Sequence, residues 1–117
     1  MVKRLTDDNF KKETSNGFSL VAFIAPWCPP CKRQAPVIDE LDSEVGKLIT
    51  VGRLDTDENP ETSKEFSIMT IPTMMLLKDG KKVKQLTGFH NKEELIGMVG
   101  KYMTSKKHLF RKEFSND

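Results

Sequence analysis

Cysteine is scarce in this chain, and long apolar runs are missing. Only two cysteines occur among 117 residues, Cys28 and Cys31, alongside one tryptophan, one tyrosine and two histidines. A framework of several disulfides is thereby excluded, and a crosslink between thiols three positions apart would restrict the unfolded chain very little. The longest apolar stretch, Phe18 to Trp27, is broken by Ser19 and falls far short of the roughly 20 residues that cross a bilayer. Nor does one charge sign dominate, since 19 Lys and Arg face 17 Asp and Glu. Phosphate-backbone binding draws on clustered cations, so this balance argues against a nucleic-acid partner. The opening Met-Val-Lys-Arg-Leu-Thr-Asp-Asp has neither the apolar segment nor the small-residue cleavage site of a secretory signal, which predicts a cytoplasmic protein without membrane attachment.

What is present suits one core. With 37% apolar and 31% charged residues, the composition argues against disorder, and the length predicts a single domain. Thr6 followed by Asp7 and Asp8 predicts a first helix, anchored by Phe10 and ending near Asn16-Gly17. Phe18 to Ala25 reads as a strand buried on both faces, and Leu48 to Leu54 as a second. Between them Ile38, Leu41 and Val45 mark one helical face, so the unit is a right-handed crossover joining parallel strands. A short helix is expected over Glu61 to Phe66 behind Pro60. A hairpin follows, Thr73 to Lys78 and Val83 to Thr87 about an Asp79-Gly80 turn. Asn91 and Glu94 form a capping box for a closing helix with Leu95, Met98, Val99 and Tyr102 on its apolar face. Gly97 and Gly100 inside that helix predict close packing against a neighbour. Residues 104–117 carry Lys106, Lys107, Arg111 and Lys112 among Leu109, Phe110 and Phe114. They are read as a helix continuation or flexible tail beyond a domain of residues 1–103, with a docking or membrane-surface peptide as the alternative.

The Cys28-x-x-Cys31 pair is either a redox centre or half of a metal site. Zinc takes four N or S ligands, and besides the thiols only His90 and His108 remain. Asp55-Thr56-Asp57-Glu58-Asn59 begins like a calcium loop, but Pro60 stands where Gly is required and Phe66 where Glu is. Met69, Met74 and Met75 are more simply core filler than a soft-metal box. No metal is therefore expected. A thiol nucleophile must be ionised near neutral pH, which requires positive potential at the sulfur. Cys28 follows a buried strand and opens a helix, where backbone N–H groups and the positive end of the helix dipole converge. Pro29 and Pro30 suit the first helical turn, whose N–H groups lack intrahelical partners, and Lys32 adds a positive charge nearby. Cys31, one turn further in, is expected to be more buried and to stay protonated until needed. Cys28 then attacks and Cys31 resolves.

Ala25-Pro26-Trp27-Cys28-Pro29-Pro30-Cys31-Lys32 at this junction resembles the active-site segment of the thioredoxin family, itself a standard instance of an acidified Cys-x-x-Cys. The likeness extends to Pro36 in the following helix, to Val51–Pro60, to Ile71-Pro72-Thr73 and to Gly88, and covers Met1 to about Met103. It implies an α/β thioredoxin fold, a central mixed β-sheet flanked by helices, with Ile71-Pro72 in cis and Gly88 completing a substrate groove. Trp27, Pro30, Thr70, Ile71 and Phe89 would border that groove and offer backbone to an extended substrate segment. The implied activity is reduction of protein disulfides by a monomer that binds no cofactor. A thioredoxin reductase would regenerate the dithiol, so NADPH is consumed only indirectly. Two departures stand out. Pro29 replaces the family's Gly and removes an N–H that could reach the Cys28 sulfur. Ala22 stands where the family keeps a buried Asp, leaving Arg53, at the position of that acid's usual Lys partner, to turn to solvent or to Asp55. These departures keep two alternatives open: a reductase dedicated to one partner or electron relay, and a non-catalytic binding module.

Overall fold

The computed structural model describes residues 1–115, with side chains described through Thr104. Its strands are β1 (Lys3–Leu5), β2 (Phe18–Ile24), β3 (Thr50–Asp55), β4 (Thr73–Lys78) and β5 (Lys81–Thr87). The helices are α1 (Phe10–Thr14), α2 (Pro29–Val45), α3 (Pro60–Glu65) and α4 (Lys92–Ser115). The five strands form one sheet in the order β1-β3-β2-β4-β5. β1, β3 and β2 run parallel, while β4 is antiparallel to both β2 and β5.

Alternation along the central strands builds two cores. Leu20 and Ala22 of β2, with Met74 and Leu76 of β4, face α2 and α4, where Ile38, Leu41, Leu95, Met98 and Val99 meet them. Val21 and Phe23, with Met75 and Leu77, face the opposite side and pack with Leu5, Phe10, Leu54 and the half-buried Phe66. β2 is thus covered on both faces, as its apolar run from Leu20 to Ile24 predicts. β5 is an edge strand carrying exposed Lys81, Lys82 and Lys84, cations that discourage edge-to-edge pairing. Asp79 and Gly80 both adopt positive φ, the requirement of the tight turn predicted between β4 and β5.

Several expectations need correction. Thr6-Asp7-Asp8 does not open α1, which begins at Phe10. Thr6 pairs locally with Asn9, its N–H donating to Asn9 Oδ1 at 2.7 Å and its Oγ1 accepting the Asn9 N–H at 3.1 Å, while Asp7 makes ties across the fold. Asp7 accepts the N–H groups of Thr62 at 2.8 Å and Glu61 at 3.2 Å, capping α3, and its own N–H donates to Asn59 Oδ1 at 2.9 Å. Burial opposes its ionisation, but the bonds from Thr62 and Glu61 prevail and hold the carboxyl below its ordinary value. β1 has no counterpart in the sequence reading, because three residues with only Leu5 buried show no period. β3 starts at Thr50 rather than Leu48, and Leu48 is exposed. Gly97 and Gly100 pack against nothing: a Cβ at either position would meet open space.

The capping box at the start of α4 is present, with the Asn91 N–H donating to Glu94 Oε1 at 2.9 Å and the Glu94 N–H to Asn91 Oδ1 at 2.8 Å. Lys92 then ties α4 to α2 through Glu44 at 2.6 Å and Glu40 at 3.5 Å. α4 continues past residue 104 to Ser115. The cationic and aromatic side chains from Lys106 to Phe114, and any docking or membrane-surface role for them, lie outside the described side chains. Among the described residues no helix is long and apolar enough to cross a membrane.

Candidate active site

The site lies where β2 ends and α2 begins. Cys28 is the N-cap of α2, with extended backbone at φ −93° and ψ 113°. A helix leaves its first N–H groups unpaired, but Pro29 and Pro30 carry none, so Cys31 supplies the first available donor. Its N–H donates to Cys28 Sγ at 3.3 Å. With no N–H at Pro29 or Pro30, the donor that reaches this sulfur stands two positions beyond Pro29 and belongs to the second cysteine itself. On the other side Cys28 Sγ–H donates to the Ile71 carbonyl at 3.8 Å. The Ile71-Pro72 bond is cis, and the Pro72 carbonyl accepts the Gly88 N–H at 2.8 Å. Gly88 has φ +83°, a conformation that favours glycine. One hydrogen-bonded path therefore links the helix start, the cis-proline loop and the loop after β5.

Both cysteines are free thiols, and both are only 3% exposed, so Cys31 is no more buried than Cys28. Accessibility therefore does not distinguish the two thiols. Burial first, and then the adjacent Cys28 sulfur, push the Cys31 thiol up to about 12, while a backbone hydrogen bond at Ala25 pulls weakly the other way. Lys32 is exposed, and its N–H closes the first turn on the Cys28 carbonyl at 3.2 Å.

Of the remaining predicted residues, Trp27 and Ile71 adjoin this centre. Trp27 is 65% exposed, its ring fixed by Nε1 donating to Asp57 Oδ2 at 2.8 Å. Pro30 and Ile71 are half-buried, Ile71 packing against the two cysteines, while Pro72 is buried and Thr70 and Pro29 are exposed. Phe89 is half-buried. Ala22 is buried, at 1% exposure, and with Ile24, Gln34, Ala35, Ile38 and Arg53 lines a cavity of about 10 Å³. Gln34 and Ala35 are one helical turn beyond Cys31, and no carboxylate lines this space. Arg53 is exposed. It does not pair with Asp55, whose Oδ1 accepts the N–H groups of Asp57 and Glu58 at 2.9 and 3.3 Å. Met74 and Met75 are core residues as expected, but Met69 is not, being 92% exposed on the loop before Ile71.

Sequence reasoning missed two residues beside the site. Gln34 is fully buried and bonds both polar groups of one peptide residue, accepting the His90 N–H at Oε1 and donating from Nε2 to the His90 carbonyl, both at 2.9 Å. It thereby anchors α2 to the loop after β5. The available signal is its place in the buried series Cys31, Gln34, Ile38, Leu41, where an amide among apolar positions requires a partner. Arg33, whose guanidinium lies 4.9 Å from the Phe89 ring centroid, carries no local signal because its partner is 56 positions away.

A buried dithiol at a strand-to-helix turn, faced by a cis-proline loop and bordered by an exposed tryptophan, defines a thiol-disulfide exchange protein. Among the described residues no cluster of three or more His, Cys, Asp or Glu could hold a metal ion. Comparison with known proteins agrees with the geometry. The thioredoxin family model matches residues 1–101. Thioredoxin of Listeria monocytogenes is 45% identical over 103 residues, covering 88% of this chain and all of that protein. Thioredoxin of Bacillus subtilis is 45% identical and that of Staphylococcus aureus 38%, each over 102 residues covering 87% of this chain and 98% of the relative. The chain belongs to the thioredoxin family. Its activity is accordingly protein thiol-disulfide oxidoreduction, with a Cys28-Cys31 pair in the family's fold.

Proposed function

We propose that this protein works as a reductant of protein disulfides, with Cys28 as nucleophile and Cys31 as resolving thiol. The observation that carries this reading is the hydrogen bond from the Cys31 N–H to Cys28 Sγ at the helix N-terminus. That donor is aimed at the sulfur assigned the attack, while burial holds Cys31 protonated. The Cys28 thiolate attacks one sulfur of the target disulfide; a Cys28-to-substrate disulfide forms and the other substrate sulfur leaves as a thiolate. Cys31 then loses its proton and attacks Cys28 Sγ, releasing the second substrate thiol and closing the Cys28-Cys31 disulfide. The substrate gains two electrons and the dithiol loses two.

The exposed Trp27 and Met69, with Thr70, Ile71, Pro72, Gly88 and Phe89, form the surface along which an extended substrate segment lies, Pro30 at its helix end. Pro29 and Lys32 support the nucleophile by stiffening the first turn and adding positive charge. Arg53 stays at the rim of the small cavity that Ala22 lines. No cofactor is bound: a thioredoxin reductase returns the disulfide to the dithiol at the expense of NADPH, in the cytoplasm, and the protein acts as a monomer.

An insulin-type turnover assay with and without a thioredoxin reductase tests the reading. General turnover sustained by NADPH and the reductase is expected. Turnover with a single partner only would mark a dedicated reductase, and absence of any turnover would leave a binding module.

A further inference from the structure

We propose that Arg33, lying over the Phe89 ring, is a specificity residue that favours disulfides flanked by an acidic side chain. This rests on the exchange reading of the Cys28-Cys31 site and adds a substrate class to it. Arg33 is exposed on α2 two residues past Cys31, and its guanidinium carbon is 4.9 Å from the Phe89 ring centroid, within cation-π range. The aromatic platform is held on both sides. Gly88 is bonded to the cis-proline carbonyl at 2.8 Å, and His90 is clamped through both its backbone groups by the buried Gln34. Gln34 is also the residue next to Arg33, so the same contacts fix the helix and the ring relative to each other.

A guanidinium held by cation-π attraction makes no hydrogen bond to the ring and so keeps N–H donors that match a carboxylate. Among the described residues no carboxylate occupies those donors. The nearby Glu94 is already engaged with His90 and the Asn91 N–H. The other wall has the opposite character, for there Asp57 holds Trp27 beyond the end of β3. The sheet order puts β3 and β5 on opposite sides of β2, so the two walls flank Cys28, one acidic and one cationic. An extended segment crossing the sulfurs therefore meets an unpaired cation on the β5 side, and an acidic residue there completes it.

The test uses two synthetic peptides with the same intramolecular disulfide, one carrying Glu and the other Gln next to one cysteine, reduced by the pre-reduced full chain in single turnover. The Glu peptide is expected to react about three to five times faster at low salt, in line with an exposed ion pair, and the advantage should fade at about 0.5 M salt. Arg33→Gln should bring the Glu-to-Gln rate ratio to about one. Phe89→Leu, which removes the platform but not the charge, should lower the ratio, and Arg33→Lys should restore only part of it. Equal rates for both peptides with the unaltered protein, or an unchanged ratio in Arg33→Gln, would overturn the proposal while leaving the exchange reading intact. Failure to reduce either peptide would instead overturn the exchange reading itself.

Discussion

The two faces of the sheet are packed differently. Under α1 and α3 the space is filled by large side chains: Phe10, Phe23 and Phe66 meet with ring centroids 5.5, 6.3 and 6.4 Å apart, among Leu5, Val21, Leu54, Met75 and Leu77. Under α2 and α4 the aliphatic core also contains Ala22, a buried amide at Gln34 and a cavity of about 10 Å³, close to the least that admits a water molecule. The first face carries none of the reacting groups. The second ends at the dithiol. The contrast shows where this chain puts rigidity and where it leaves room: aromatic packing secures the sheet from one side, while the aliphatic core under the helix bearing the cysteines gives way to Ala22, a buried amide and a small cavity.

Breaking the closed face should have the largest effect. Phe23 is fully buried and meets both other rings of the aromatic trio, and Phe23→Ala is expected to lower unfolding stability by about 3–5 kcal/mol in urea titration. A loss below about 1 kcal/mol would show that this face does not carry the fold. Filling the open face with charge is the sharper test. Ala22→Asp puts a carboxylate into the small cavity, with only the exposed Arg53 at its rim as a possible partner. Stability should fall by about 2 kcal/mol, as expected for a poorly paired buried polar group. At the same time a base is introduced one helical turn from the thiol that must lose a proton. Mixed-disulfide decay, followed by stopped flow, should quicken near and above neutral pH, where an acid with a raised pKa is partly ionised. Unchanged decay at every pH would mean that water or the departing thiolate already takes the proton.

The smallest effect refines the comparison from within the closed face. Alternation puts Ser19 on the side of Val21 and Phe23, and its hydroxyl, fully buried, has no hydrogen-bond partner among the described residues. Ser19→Ala removes that unmet group and should raise the urea midpoint, by about 1 kcal/mol of stability. Destabilisation instead would show that the hydroxyl is satisfied.

Legibility in the sequence followed the range of the interactions. β2 and β4 were readable because consecutive apolar residues declare burial on both faces, and the Asp79-Gly80 turn and Asn91-Glu94 box because each is closed within a few positions. The dithiol was legible for the same reason, its spacing and flanking prolines being local. Long-range ties were not. Thr6-Asp7-Asp8 has the composition of a helix start, but Asp7 caps a helix more than 50 positions away, and no local rule distinguishes the two uses. Met69 looked like core filler by residue type, whereas the chain ahead of the cis-proline turns it outward. Arg33 and Gln34 gain their meaning only from Phe89 and His90 across the groove.

The central claim is that Cys31, its thiol pushed far up, stays protonated while Cys28 attacks. Alkylation of the reduced protein with limiting iodoacetamide, mapped by peptide mass spectrometry from pH 6 to pH 11, tests it most directly. A thiol raised to about 12 by burial stays protonated through the range where ordinary thiols ionise, so its thiolate fraction grows tenfold per pH unit up to that point. The account predicts that label appears on Cys28 throughout, and that Cys31 reactivity is still climbing at pH 11. Label on Cys31 first, or a Cys31 rate that levels off near pH 9, would contradict it.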